Sequence, residues 1–386
     1  MIDNNVIILG IDASRNHSGG AKAHLIGFLS SINFSKCNIQ QVHLWSFDEL
    51  LNSIPDFPWL VKHYTVDLKK SIYRQLWWQA VDLKKEVKHY QCDILFTTDA
   101  STLCRFSPMI IMSQDMLSYE PGIMKNFGYG LARLRLIIIL FVQNFAFRHA
   151  DGVIFLTNYA SRVIQKSCGK LRKVKIIPHG VDLEFKKIIN QNWPSKKNEI
   201  IRCLYVSPVW PFKNQINVVK AIEKLRNQGY LISLDLIGGG SKESIKKLKK
   251  QISLSDPEGL FIKYHGSLQH DQIPKYVARA NIFVFASSCE NLPVTLLEAM
   301  AVGLPIVCSD RGPMPEVLGE GGLYFDPNDV TSIATSINEI IHKSDLRVKL
   351  MVKAKIISNE FTWDNNSSKT ISFIEKTLLS IKKTVK

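Results

Sequence analysis

The sequence predicts an α/β protein made of two parallel-sheet halves, and three observations carry that prediction. Apolar runs of strand length alternate with amphipathic runs of helical length almost throughout, the pattern of parallel strands joined by crossover helices. The alternation breaks once, at a polar and irregular segment from 184 to 198 that contains Trp193-Pro194 and reads as a linker. Finally, 386 residues exceed one ordinary hydrophobic core, so two domains are expected.

In the first half, strands are expected at 6–10, 93–97, 109–112, 152–156 and 175–178, with a helix at 21–31 after a polar glycine-containing loop. In the second half, strands are expected at 202–207, 233–238, 261–265, 282–286 and 306–308, with helices at 215–228, 242–252 and 271–280. The predicted plan is an N-terminal domain over 1–183, a linker over 184–198 and a C-terminal domain over 199–365. A basic helical tail, 366–386, packs back on the first domain. Two similar halves joined by one linker predict Rossmann-like sheets facing a central cleft.

Hydrophobic content of 46% and charged content of 22% are those of a globular protein. The net charge of +15 favours a phosphate-bearing ligand or an anionic membrane surface, with a solvated basic exterior as the plain alternative. No nucleic-acid recognition motif is present, so nucleic acid is not expected as a partner. Seven scattered cysteines without a C-x-x-C pair read as reduced core thiols of a cytoplasmic protein. The first residues resemble a strand more than a signal peptide. The apolar run 136–142, flanked by Arg133, Arg135 and Arg148, is too short to span a bilayer. It reads as a buried helix, or as one whose basic flank meets lipid headgroups.

The stretch 287–310 concentrates the candidate chemistry. A strand ends in a loop holding Glu290, and a helix opens near Asn291, Leu292, Pro293 and Val294 and carries Glu298. The first amides of a helix lack internal partners and present partial positive charge, which suits a phosphate. Glu290 is otherwise a solvated loop carboxylate. Thr295 and Glu298 also fit a capping box, in which the glutamate only closes the helix start. Lys213, in the loop after strand 202–207, can meet a diphosphate as a point charge. Gly238 and Gly239 permit either a tight turn or a close ligand. His265 and Gly266 end another strand, with Leu268 beyond, and a packed histidine is the plain alternative there. Gly19 and Gly20 precede the first helix, and Gln114 and Asp115 end a strand of the first half. Both positions face the predicted cleft.

Together these residues resemble the retaining glycosyltransferase family four, of the GT-B fold. The resemblance is strongest over 201–327. It rests on Lys213-Asn214, the 238–240 glycine turn, His265-Gly266, the paired glutamates, Gly312, Pro315-Glu316-Val317, Gly321-Gly322 and Phe325-Asp326-Pro327, together with the Pro178–Asp182 run. It implies that Glu290 binds donor-sugar hydroxyls and that Glu298 holds the ribose. The amides from Asn291 to Val294, with Lys213, would bind the diphosphate. The loop from His265 to Leu268 would flank the base, and Gly19 and Gly20 would approach the donor. Two positions depart from the family pattern. Ser207-Pro208 stands where a Gly-Arg pair is common, and Gln114, beside Asp115, stands where a histidine is common.

The implied activity is retaining transfer of a sugar from a UDP- or GDP-sugar to a growing glycan, lipid-linked in the manner of lipopolysaccharide or capsule. Glu290, Lys213, Gln114 and Asp115 are the residues expected to take part. No cofactor or metal is expected, because a helix N-terminus and a cation meet the leaving diphosphate. A sugar-nucleotide epimerase on the same fold, or a degenerate non-catalytic binding protein, are the alternatives.

Overall fold

The computed structural model describes residues 6–16, 20–189, 193–194 and 199–384. It divides into two compact units, 1–180 with 362–386, and 181–361. Each unit is a parallel sheet flanked by helices.

The N-terminal unit holds β1 (Ile7–Asp12), β2 (Ile39–Ser46), β3 (Leu60–Tyr64), β4 (Ile94–Thr97), β5 (Met109–Met112), β6 (Gly152–Phe155) and β7 (Val174–Ile176). Their order across the sheet is β3-β2-β1-β4-β5-β6-β7, and every pairing is parallel. Buried runs such as Ile94–Thr97 and Met109–Met112 are nearly all apolar, because a central parallel strand is covered on both faces. β2 and β3 were not expected from the sequence. Their polar aromatic residues are buried or half-buried in pairs. His43 Nδ1 lies 2.9 Å from His63 Nε2, and the Trp45 ring stacks on His63.

The tail forms the helix Trp363–Thr384 and belongs to the N-terminal unit. It buries Ile371, Ile374 and Leu378. Asn366 Nδ2 donates to Pro178 O at 2.8 Å, and Glu375 accepts the Asn38 amide at 2.7 Å. Trp363 lies against the helix Gly20–Ser30 at Gly27, where an added Cβ would stand 2.3 Å from the indole ring.

The helix Leu131–His149 contains the apolar run noted above, and the expectation of a buried helix fails there. Leu136, Gln143, Asn144, Ala146 and Phe147 face the core. Leu131, Leu134, Ile138, Phe141 and Phe145 are exposed, Phe141 by 67%. Spacings of three and four place these five on one face. Among the described residues no helix is long and apolar enough to cross a membrane.

The C-terminal unit holds β8 (Ile201–Val206), β9 (Ile232–Ile237), β10 (Ile262–Tyr264), β11 (Ile282–Phe285), β12 (Ile306–Ser309) and β13 (Leu323–Phe325). Their order is β10-β9-β8-β11-β12-β13, again parallel. The order reverses direction between β8 and β11, the switch point where open α/β sheets accept ligands. The unit begins at Val181, whose amide donates to Phe361 O at 3.1 Å. Of the segment read as linker, residues 184–187 lie in the short helix Leu183–Lys187, held by the fully buried Phe185. Residues 190–192 and 195–198 lie outside the described residues.

All seven cysteines are free thiols, six of them buried. Burial pushes Cys92 and Cys104 up to about 12, which makes them poor nucleophiles.

Replacing Gly27 by Ala is expected to destabilise the protein by about 1–3 kcal/mol, the usual cost of overpacking a filled contact. Urea denaturation would read this as a lower midpoint. An unchanged midpoint would mean that Trp363 is not held against this helix.

Candidate functional site

The switch point of the C-terminal sheet is built from two loops, one after β8 and one after β11. In the first, Pro211–Lys213 form a single 3₁₀ turn. Asn214 follows in the left-handed region at φ 55°, a conformation asparagine tolerates better than most residues. Its side chain donates to Ala286 O and Ser288 Oγ, both at 2.8 Å. The Ser288 amide donates to Phe212 O at 2.7 Å, and the Tyr205 hydroxyl donates to Lys213 O at 2.6 Å. Side chain and backbone thus stitch the two loops together.

The stitching brings the Lys213 ammonium onto Glu290 Oε1 in a hydrogen-bonded ion pair. Lys213 is only 8% exposed, and Glu290 is half-buried. Glu290 is therefore not the solvated loop carboxylate that its position alone suggests. A lysine has three donors. One is given to Glu290, and the others remain for a further anion.

The helix expected after Glu290 is Val294–Val302, with Pro293 at its N-cap and Gly303 closing it at φ 80°. The amides of Leu296 and Leu297 turn back to Pro293 O. Asn291 and Leu292 are buried in the approach to this helix start. The capping-box expectation is overturned. Thr295 lies inside the helix, and its hydroxyl donates to Val206 O at 3.1 Å, so it caps nothing. Glu298, 5% exposed, lies against His270, whose Nε2 is 3.1 Å from Glu298 Oε1. Burial raises the Glu298 pKa, and the His270 hydrogen bond opposes that rise. The same bond raises the pKa of His270, with Asp182 and Glu184 adding to the rise. His270 was missed in the sequence, where nothing links it to a glutamate 28 positions away.

The glycine turn is spent on close packing. A Cβ on Gly238, at φ 145°, would lie 2.0 Å from Ser207 O, and Gly238 N donates to Gly266 O at 2.8 Å. Gly239 has more room, with Ser267 Cβ 3.4 Å from the same construction. His265 Nε2 lies 2.6 Å from Asp235 Oδ1, and its ring meets Tyr276. His265 thus anchors the end of β10, while the half-buried Leu268 follows in the loop leading to His270.

In the N-terminal unit the strand ends gather carboxylates. Asp12 is buried and accepts from Ser14 N, Ser14 Oγ and Gln79 Nε2 at 3.0, 2.6 and 2.9 Å. Burial raises its pKa against those bonds. Asp115 accepts the Leu117 amide at 2.9 Å, and burial followed by the charge of Asp99 raises its pKa. Gln114 Nε2 lies 3.5 Å from Met112 Sδ. Asp12 and Asp99 were not singled out in the sequence, although Asp12 ends β1 and Asp99 follows β4 much as Asp115 follows β5. Gly20 opens the helix Gly20–Ser30, while Gly19 lies outside the described residues.

Residues 185–356 match the family model described as Glycosyl transferases group 1. Over 169 residues the chain is 29% identical to the O-antigen chain mannosyltransferase B of Escherichia coli, covering 44% of each protein. Over 242 residues it is 23% identical to a GDP-mannose-dependent alpha-(1-6)-phosphatidylinositol monomannoside mannosyltransferase of Mycobacterium tuberculosis, covering 58% of this chain and 61% of that one. The chain therefore spans less than two thirds of either relative. Among solved structures, sucrose-phosphate synthase from Thermosynechococcus elongatus superposes with a TM-score of 0.78 at 16% identity, over 97% of this chain and all of that one. An Anabaena protein crystallised with UDP and glucose superposes at 0.71 and 18% identity, over 96% of this chain and all of that one. Two parallel sheets of this order give the chain the GT-B fold, and the match to the glycosyl transferases group 1 model is confined to residues 185–356, less than half of the chain.

Proposed function

We propose that the protein is a glycosyltransferase that takes its donor, a UDP- or GDP-sugar, at the switch point of the C-terminal unit. The observation that carries this reading is the Lys213–Glu290 pair beside the start of the helix Val294–Val302. It juxtaposes a buried cation, a carboxylate and helix-start amides, the three kinds of group that a diphosphate and a sugar need. The remaining Lys213 donors and the amides around Asn291, Leu292 and Val294 meet the diphosphate. Glu290 accepts from sugar hydroxyls, and Glu298 accepts from the ribose. The loop from His265 to Leu268 serves the base.

The reaction in this reading is retaining. The bond from the anomeric carbon to the diphosphate oxygen breaks, and the acceptor oxygen bonds the same face. The acceptor's proton passes to the departing phosphate. Lys213 and the helix amides stabilise the charge that develops there, so the scheme assigns no step to a metal. Gln114 and Asp115 act as hydroxyl-binding groups of the transfer. The similarity to an O-antigen chain mannosyltransferase and to a phosphatidylinositol monomannoside mannosyltransferase supports an acceptor that is a growing, lipid-linked glycan.

A lipid-linked acceptor calls for a surface that meets a bilayer, and the helix Leu131–His149 suits one. Its exposed stripe of Leu131, Leu134, Ile138, Phe141 and Phe145 is flanked by arginines, and residues 121–150 contain no carboxylate. A second copy docked there would set arginine against arginine. An anionic bilayer answers both the apolar stripe and the charge.

Thermal shifts with UDP, GDP and ADP test the donor reading. One nucleotide is expected to raise the melting temperature by linkage, and Lys213→Ala is expected to abolish the rise. With the sugar donor of that nucleotide, Glu290→Gln is expected to lose transfer. Stabilisation that survives Lys213→Ala would refute the diphosphate assignment, and isomerised donor without transfer would favour the epimerase. Sedimentation with phosphatidylglycerol vesicles tests the membrane face. Ile138→Ser with Phe141→Ser is expected to weaken binding about tenfold or more, given roughly 1.5–3 kcal/mol for each large side chain buried. Equal binding by the double variant would exclude this helix as the contact.

A further inference from the structure

The buried carboxylate assigned to the ribose already has an occupant. His270 lies in the loop between β10 and the helix Ile273–Arg279, with its side chain 55% exposed. It reaches inward to Glu298 Oε1. A ribose presents two neighbouring hydroxyls, and a carboxylate matches them by accepting one on each oxygen. That match requires Oε1, the atom His270 holds. We propose that His270 fills the Glu298 subsite in the unliganded protein and is displaced by the nucleotide's ribose, so that acid opposes nucleotide binding.

The surroundings of His270 fix the sign. The charged groups that bear on it are Glu298 on the helix Val294–Val302, Asp182 with its Oδ2 4.0 Å from Nδ1, and Glu184 on the helix Leu183–Lys187. Asp271 follows it in the chain, and the Phe185 ring packs edge-on against it. All the charged groups are carboxylates, and they favour the imidazolium. The Glu298 hydrogen bond is the largest contribution and lifts the His270 pKa above its ordinary value. Displacing His270 removes that contribution and lowers the pKa again. Nucleotide binding therefore releases a proton and weakens as pH falls through the raised pKa. At higher pH the imidazole is neutral, the contact is weaker, and the ribose displaces it more easily.

The inference rests on the donor-site reading, and one experiment separates the two. UDP, GDP and ADP are titrated calorimetrically into the full chain at pH 6, 7 and 8, in buffers of different ionisation enthalpy. The wild type is expected to release protons on binding. From pH 8 to pH 6 its Kd is expected to rise about three- to tenfold more than that of His270→Gln, which removes titration of the nucleotide phosphate from the comparison. His270→Ala is expected to behave like His270→Gln. Proton release and a Kd profile that are the same in wild type and both variants would overturn the displacement by His270 and leave the donor site standing. No binding of any of the three nucleotides at any pH would overturn the donor-site reading and this proposal with it. Proton release by the wild type needs no variant and stands as a separate check should the substitutions perturb folding.

Discussion

An ammonium and a carboxylate, both largely withdrawn from water, meet where the loop after β8 passes the loop after β11. The rest of the candidate site depends on that contact. Without Glu290, Lys213 would be a buried cation with no partner, a costly arrangement. Without Lys213, Glu290 would face the sheet edge as an unpaired anion. The pair persists because three other hydrogen bonds hold the loops in register, two from the Asn214 amide and one from the Ser288 amide to Phe212 O. A ligand then meets groups already in place, which lowers the ordering cost of binding.

The neighbouring features follow from the same frame. The helix Val294–Val302 starts directly after the loop that carries Glu290, so its first amides lie beside the ion pair. One turn further on, the helix carries Glu298 into the interior, where burial alone would favour the neutral acid. His270 supplies the hydrogen bond that offsets this. The glycines at 238 and 240 let the turn after β9 lie against the backbone of the first loop. Their missing side chains hold the frame together.

Much of the fold was legible in the sequence, for a physical reason. Central parallel strands such as β4, β5 and β11 are buried on both faces and read as unbroken apolar runs. β2 and β3 escaped notice because they bury polar aromatics in pairs, with His43 on His63 and Trp45 stacked beside them. β13 is three residues long, too short for a periodicity to appear. Of the site, the individual residues were visible as lysine, glutamates and glycines near strand ends. Their partnerships were not. Lys213 and Glu290 are 77 positions apart, and His270 and Glu298 are 28 apart. The Thr295–Glu298 spacing misled because a capping box requires threonine at the N-cap, and Pro293 occupies that place. The run from 136 to 142 misled in another way. Its composition suggests burial, but a helix of period 3.6 turns residues three and four apart to one face, and only tertiary packing decides which face meets the core.

The central claim is that Lys213 and Glu290 form one energetic unit. A double-mutant cycle of Lys213→Met and Glu290→Gln, read by urea denaturation without ligand, tests it most directly. A coupling energy of about 1–3 kcal/mol, in the range measured for residues in direct contact, is the predicted result. Single-variant effects that add to within about 0.5 kcal/mol, as for distant sites, would contradict it.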